Sequence, residues 1–336
     1  MKPLVSLIVT YYNSDSLGDF VNRSMDFLLK QTYSNIEIIC VNDGSTDSTL
    51  NTLNEYQKID NRIIVLDKEN QKYAQYSKAL GQRAAKGEWC FLIDHDDLVS
   101  YDAVEKAILE IEKNKELDIV TLVVKEADHN GKILQYQNLG VNSQDNFIYE
   151  NILITGQEYL QRTVGKYDIN IRGLVRSSIF KSVSFDFIEP LLNADEIIER
   201  QIFRQARLIG NCDSFYTYYL FDNSSAKTKS IKQIDIIKSD YYLRKYFKEE
   251  KVYNKRKNIF ENSAFRNLLK AVKLYHHFKN DMSAKEAEIQ LERLKLSFNN
   301  LDKKEILKHK NSFTKYYQTF LLSNFNLLFF YYKFKK

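Results

Sequence analysis

The chain has 336 residues, 44% of them hydrophobic and 28% charged, with only two prolines and 10 glycines. That composition excludes collagen-like, low-complexity and linker-rich architectures, and it allows one sizeable core with a second, smaller one. The net charge of +5 hides a polarity, since residues 1–225 carry 23 Lys+Arg against 33 Asp+Glu and residues 226–336 carry 26 against 11; a basic back of this kind predicts a polyanionic partner, nucleic acid or an anionic membrane face.

Met1-Lys2-Pro3 runs into a strand with no apolar signal segment, which predicts a cytoplasmic chain. Leu4 to Val9 reads as that strand, followed by Thr10-Tyr11-Tyr12-Asn13 and a helix capped by Ser14 or Asp15, with Leu17, Phe20, Val21 and Leu28 on its apolar face. The pattern recurs with strand Ile36 to Val41, the turn Asn42 to Asp47 with its own cap, and a helix marked by Leu50, Leu53 and Tyr56. A strand at Arg62 to Leu66, a helix through Gln75 to Lys86, a strand from Trp89, a helix over Tyr101 to Lys113 and a strand over Asp118 to Val124 complete the regular part. Strands alternating with helices predict parallel βαβ units, with ligands at the carboxyl ends of the strands.

Cys40, Cys90 and Cys212 lack metal-ligand spacing, and two lie in strand-like runs, which fits a reducing compartment. The richest stretch is Trp89 to Ile93, an apolar run that ends in Asp94-His95-Asp96-Asp97. Carboxylates crowded at the end of a buried strand repel one another unless a cation neutralises them, and oxygen ligands favour Mg²⁺ or Mn²⁺. Helix capping accounts for one of these aspartates and hardly for three. A parallel sheet brings Thr10, Asp43 and Asp94 to Asp97 to one edge. Asp43-Gly44-Ser45 also suits a plain turn, and it has no glycine-rich phosphate loop.

Val5 to Asn13, Val41-Asn42-Asp43-Gly44-Ser45-Thr46-Asp47, and Ala85 to Trp89 leading into Asp94-His95-Asp96-Asp97 together resemble family 2 glycosyltransferases of the GT-A fold, of bacterial surface-polysaccharide type. The resemblance implies an α/β, Rossmann-like core over residues 1–225, with nucleotide-sugar binding in 1–125 and the acceptor side in 126–225, and a basic helical extension over 226–336. It implies inverting transfer from a nucleotide diphosphate sugar, with Thr10 and Tyr12 at the nucleotide, Asp43 at the base, Asp94 near the ribose and metal, His95 beside it, and Asp96 on the metal with Asp97 in support. The family's Ala-Arg-Asn-x-Gly run is replaced by Tyr73-Ala74-Gln75-Tyr76-Ser77-Lys78-Ala79-Leu80-Gly81. Lys78 then offers the diphosphate a charge without bidentate geometry, and Tyr73 and Tyr76 flank the base; a solvated lysine on an amphipathic helix is the alternative.

Further on, Ile171 to Ser177 and Asn193-Ala194-Asp195-Glu196 resemble the acceptor side of bacterial members, where the acidic pair opens a helix and supplies the catalytic base, Asp195 before Glu196. Complementing a helix dipole is the competing role. Arg172 and Arg176 meet phosphates or carboxylates. Phe215 to Phe221 reads as a strand, Asp222 to Ser225 as a turn, and Lys227 and Lys229 as cations able to close on a diphosphate.

From Ile231 the pattern is helical, with Ile234, Ile237, Tyr241, Leu291, Leu294, Leu296 and Phe298 as apolar positions. The aromatic run Phe320 to Tyr332, followed by lysines, falls short of the ~20 apolar residues that span a bilayer and suits an interfacial helix on an anionic membrane. A helix packed on the core or in a homodimer is the alternative. The expected partners are a nucleotide-sugar donor, a glycan or lipid-linked acceptor and the cytoplasmic membrane face, without nucleic acid; a sugar-nucleotide nucleotidyltransferase and a non-catalytic nucleic-acid or membrane scaffold are the competing functions.

Overall fold

The computed structural model describes residues 2–139, 141–143, 149–167, 169–186, 189, 191–220, 229–308 and 312–334. Phe221, the turn at 222–225 and Lys227 therefore lie outside the described residues. Two compact units divide the chain: Met1–Tyr159, Ile169–Pro190 and Ile198–Ser224 form the first, and Leu160–Asp168, Leu191–Ile197 and Ser225–Lys336 the second.

The first unit begins with β1 (Val5–Tyr11), α1 (Ser14–Gly18), α2 (Phe20–Leu29), β2 (Ile36–Asp43), α3 (Thr49–Ile59), β3 (Ile63–Lys68), α4 (Ala74–Ala84) and β4 (Trp89–Asp94). It continues through β5 (Leu98–Val99), α5 (Ala103–Lys113), β6 (Leu117–Asp128), β7 (Ile133–Asn138), β8 (Val141–Ser143), α6 (Gly156–Thr163), β9 (Gly173–Arg176), α7 (Ser177–Phe180), α8 (Asp195–Gln205) and β10 (Leu208–Leu220), with the end of α6 and the first turn of α8 grouped in the second unit.

The strands form one sheet in the order β3-β2-β1-β4-β9-β6-β10-β5, with β7 beside β6 and β8 beside β7. Pairing is parallel through β3, β2, β1 and β4 and again between β6 and β10. Val5, Leu7, Ile8 and Val9 of β1 and Ile38 to Val41 of β2 are buried on both faces, which is why these strands read as unbroken apolar runs. Each fully buried Ile, Leu or Val of this kind stabilises the fold by roughly 1.5–3 kcal/mol relative to exposure.

The parallel expectation fails at one place. β6 does not pair with β4; β9 lies between them, antiparallel to both. The close fit depends on Gly173, where an added Cβ would lie 2.1 Å from the Val120 carbonyl oxygen.

The first helix also departs from expectation. It breaks at Gly18-Asp19, with φ 148° and 56°, so Leu17 falls outside the apolar stripe and is 64% exposed. The side chains of Ser14 and Asp15 do not cap it. Instead the Ser14 and Asp15 amides donate to Thr49 Oγ1 at 2.8 and 3.2 Å and the Ser16 amide to Asp47 at 2.9 Å, so the second loop caps the first helix.

The second unit contains α9 (Ile236–Glu249), α10 (Lys257–Phe278), α11 (Ala284–Asn299), α12 (Lys303–Leu307), α13 (Ser312–Ser323) and α14 (Phe325–Phe334). Phe260, Ala264, Leu268, Ala271, Val272 and Tyr275 give the 22-residue α10 a buried face, against which α9, α11, α12 and α14 pack. On α11, Leu294 and Phe298 share that inner face, whereas Leu296, half a turn away, is exposed; Tyr241 on α9 is exposed as well. Glu261 of α10 is fully buried and accepts from Arg244 Nε (2.9 Å), Tyr253 Oη (2.5 Å) and the Asp302 amide (2.8 Å), so its charge is fully hydrogen-bonded. Among the described residues no helix is long and apolar enough to cross a membrane.

Candidate active site

Because β1, β2 and β4 are parallel, the loops after them leave the sheet at one edge. Thr10 stands opposite Asp94 in the β1–β4 register, and Tyr11 opposite Asn42 in β1–β2. Asn13 takes a left-handed conformation (φ 48°), which its short amide side chain tolerates. From there its amide donates to Ser45 Oγ (3.0 Å) and its Oδ1 accepts from the Thr46 amide (2.8 Å), tying the first two loops together. Gly44 has φ 64°, and a Cβ there would meet the Asn70 nitrogen at 2.6 Å. This turn presents Asp43, whose buried carboxylate meets Lys68 Nζ at 2.5 Å. Tyr12 on the first loop is 45% exposed, and half-buried Tyr73 precedes α4.

At the end of β4 the charges are densely paired. Asp94 accepts from Arg172 Nη1 at 2.6 Å and lies 3.8 Å from Lys78 Nζ. Burial works against ionisation here, yet the Lys78 and Arg172 charges outweigh it and hold the Asp94 carboxyl well below the usual carboxylate range. Asp97 is buried; it accepts from Tyr216 Oη at 2.6 Å and the Tyr219 amide at 3.2 Å, with Arg172 3.8 Å away. Burial pushes the Asp97 carboxyl up to about 8, against the pull of Arg172. The guanidinium of Arg172 lies over the Tyr216 ring, 4.6 Å from its centroid, and 5.5 Å from that of Tyr218. His95 Nδ1 is 3.1 Å from the Thr10 carbonyl oxygen, and its ring packs on Tyr11 and Phe20.

Asp96 differs from its neighbours. Half-buried, it makes no hydrogen bond or ion pair to another side chain among the described residues, and burial together with the Asp94 charge raises its pKa against the influence of His95 and Arg172. The neutralising charge that the sequence pattern assigns to a metal is therefore supplied in part by Arg172 and Lys78, which engage Asp94. Asp96 is left as the carboxylate with ligand capacity to spare. Among the described residues no group of three or more His, Cys, Asp and Glu could hold a metal alone. A single carboxylate still fits an ion of the magnesium kind, which completes its shell with water and phosphate oxygens.

Thr10, Asp43, Lys78, Asp94, His95 and Asp96 thus belong to one sheet edge. Asp195 and Glu196 are residues of the second unit, where they open α8: Asp195 Oδ1 accepts the Glu196 amide at 3.0 Å, Asp195 is half-buried and Glu196 is 6% exposed. No motif in the sequence marks Tyr216, Tyr218 or Lys68 as site residues. The signal for Tyr216 was the aromatic strand itself, since a tyrosine fully buried there must find a partner for its hydroxyl. Arg172 takes the carboxylate option rather than being left to phosphate alone, and Arg176 likewise pairs with Asp118 at 2.7 Å.

The profile of Glycosyl transferase family 2 matches residues 6–181, which contain the carboxyl ends of β1, β2 and β4 and the loops that follow them. The chain belongs to glycosyl transferase family 2. This family 2 chain is 33% identical over 193 residues to the Streptococcus pneumoniae protein named Glycosyltransferase GlyG, covering 55% of the chain and 60% of that protein. It is 30% identical over 215 residues to an uncharacterized glycosyltransferase of Haemophilus influenzae, covering 64% of the chain and 57% of that protein. It therefore spans 60% or less of the length of these relatives. Among solved structures it is similar to S. aureus TarS 1-349, with TM-score 0.60 and 16% identity over 96% of the chain and 90% of TarS 1-349. The family 2 core is thus of the GT-A kind, an α/β Rossmann-like unit accompanied by a helical C-terminal region.

Proposed function

We propose that this chain is an inverting glycosyltransferase that moves a sugar from a nucleoside diphosphate donor, a UDP-sugar, to a glycan or lipid-linked acceptor in cell-surface polysaccharide assembly. The observation that carries this reading is the β1–β4 edge, where Asp94 is kept ionised by Arg172 and Lys78 while Asp96 remains unengaged two residues on. Family membership and the pneumococcal relative's name support the reaction class. Structures of TarS with UDP and with UDP-GlcNAc favour uridine as the base.

In this reading Asp94 accepts from ribose hydroxyls, Asp43 from the base once Lys68 yields, and Lys78 faces the diphosphate. Mn²⁺ or Mg²⁺ would be held by Asp96 and, when bound, supplies charge that stabilises the departing nucleoside diphosphate. An inverting displacement also needs a carboxylate to take the acceptor hydroxyl proton as that oxygen attacks the anomeric carbon. Asp195 is the assignment, because it is more open to solvent than Glu196.

The acceptor reading extends to the C-terminal helices. Phe320, Leu327, Phe330 and Phe334 are exposed on α13 and α14, a face suited to the headgroup region of an anionic membrane on the cytoplasmic side.

Calorimetry of UDP with and without Mn²⁺ tests the donor site. Binding should be weak without the ion, and Asp96→Asn should remove the metal-dependent gain; an unchanged affinity in the variant withdraws the metal assignment. Asp195→Asn should leave UDP binding intact and lower turnover by roughly a hundred- to ten-thousand-fold. If Glu196→Gln alone has that effect, the two residues exchange roles.

A further inference from the structure

The second unit contains a cavity of about 720 Å³ between the end of α9, the start of α10 and the turn into α12. Its lining is almost entirely cationic or polar, with Leu301 its one aliphatic side chain. Two of its cations are already neutralised: Arg244 by buried Glu261 at 2.9 Å and Lys257 by Asp302 at 2.6 Å. Four others, Lys248, Lys251, Lys303 and Lys304, have no carboxylate within ion-pair distance among the described residues. Four uncompensated ammonium groups around one concavity repel one another and concentrate anions there. The first residue of α10, Lys257, also lines the cavity, and the cap position Arg256 brings no side-chain acceptor, so the positive end of a long helix adds to the field.

Lys251 is the most telling member. It adopts φ 59° just after α9, where its amide donates to the Lys248 carbonyl at 3.1 Å and the Val252 amide to that of Phe247 at 3.0 Å. This helix-ending turn is most easily made by glycine, so a lysine there is held against a backbone preference. A lysine held on a strained backbone in the lining of a charged cavity points to ligand contact.

We infer that this cavity is a binding site, separate from the nucleotide edge, for a soluble ligand carrying several phosphate groups. Its volume lies in the range of about 300–1,000 Å³ that suits a discrete small ligand, and its concavity does not suit a flat lipid surface. Tyr253 is its one aromatic residue, and Lys248 and Lys257 already lie over its ring at 5.3 and 6.0 Å, which disfavours the successive base stacking that binds single-stranded nucleic acid. Lysine ammonium groups, unlike an arginine fork, accept phosphates in many orientations, as a flexible polyanion requires.

The test uses the full chain, inorganic tripolyphosphate and EDTA, so that metal-assisted binding at the nucleotide edge is absent. Calorimetry should give saturable one-to-one binding that excess UDP does not displace and that the combined Lys248→Ala, Lys251→Gly, Lys303→Ala and Lys304→Ala variant loses. Lys251→Gly alone should weaken tripolyphosphate about fivefold, the equivalent of roughly 1 kcal/mol per lysine, while its melting temperature rises because the strain is relieved. A purely structural lysine would not produce that opposite pair of changes. No saturable binding to the wild-type chain, binding unchanged in the combined variant, or lysine-dependent binding confined to anionic vesicles or single-stranded DNA would each overturn the inference. UDP binding in the presence of Mn²⁺, measured on the same variants, reports separately on the donor edge.

Discussion

Arg172 illustrates what one residue does at this edge. Its guanidinium donates to Asp94 and to the Tyr216 hydroxyl (3.0 Å) and lies near Asp97, so three groups, at the end of β4, in the loop after it and on β10, depend on a single cation. Removing it leaves buried Asp97 with Tyr216 and the Tyr219 amide, and partly buried Asp94 with a distant lysine. We expect Arg172→Ala to lower the urea unfolding free energy by about 3 kcal/mol, the cost of breaking a buried ion pair from one side. Arg172→Lys should recover less than half of that, since an ammonium cannot reproduce the planar fork or lie over the two tyrosine rings in the same way. A loss under about 1 kcal/mol for the alanine variant would contradict this account. The aspartates were legible in the sequence because they are adjacent along the chain and end an apolar run. Arg172 was visible only as an undecided cation, because its partner lies 78 residues away.

Among the elements, β9 marks the limit of what pattern could predict. A four-residue strand, Gly173 to Arg176, carries too little periodicity to be distinguished from a loop, and its insertion between β4 and β6 depends on a glycine's fit against Val120. β1, β2 and β4 are legible because burial on both faces writes itself as a continuous apolar run, whereas of the 13-residue β10 only the aromatic half from Phe215 stands out. The break between α1 and α2 falls at Gly18-Asp19, where both residues take positive φ, and the apolar pattern running on through Phe20, Val21 and Leu28 conceals it in the sequence. Gly173→Ala should displace β9 and with it Arg172, lowering stability by roughly 1–3 kcal/mol by overpacking, and weakening UDP binding as well; an unchanged melt would mean the strand can shift freely.

The same elements are held at their other end by Asp118 of β6, which accepts from Arg176 of β9 at 2.7 Å and from Arg207 at 2.8 Å. Burial opposes ionisation, but the bonds from Arg207 and then Arg176 lower the Asp118 pKa. With the folded value below the unfolded ~3.9, the stabilisation is present above about pH 4 and is lost as pH falls through the folded value. Since Arg207 is 61% exposed, solvent screening limits the effect. Asp118→Asn should cost about 1–2 kcal/mol at pH 7. Urea titrations of both chains at pH 7 and pH 3 should show that gap narrowing in acid; an equal gap at both would remove the electrostatic explanation.

At the scale of the whole molecule the basic back resolves into a helical unit whose last helix has one packed face and one exposed face. Leu328 and Tyr332 are buried, His276 Nε2 donates to the Phe329 carbonyl at 3.0 Å, and the Phe325 ring lies 5.7 Å from that of Phe298 on α11. That face of α14 belongs to the core of the second unit, so truncation before Phe320 should lower the melting temperature with or without lipid. Truncation therefore cannot test the membrane role. The opposite face can be altered without touching the core, because Phe330 and Phe334 are 54% and 76% exposed. Phe330→Ser with Phe334→Ser should leave the melt within about ±0.5 kcal/mol of the parent, as expected for exposed positions. The same pair should reduce flotation with anionic vesicles, since interfacial binding scales with buried apolar area, and raised salt should weaken what the lysines contribute. Activity on a short soluble acceptor should persist while activity on a lipid-linked one falls. If the double variant floats as well as its parent, or if the parent does not float at all, the exposed aromatic face serves something other than a membrane.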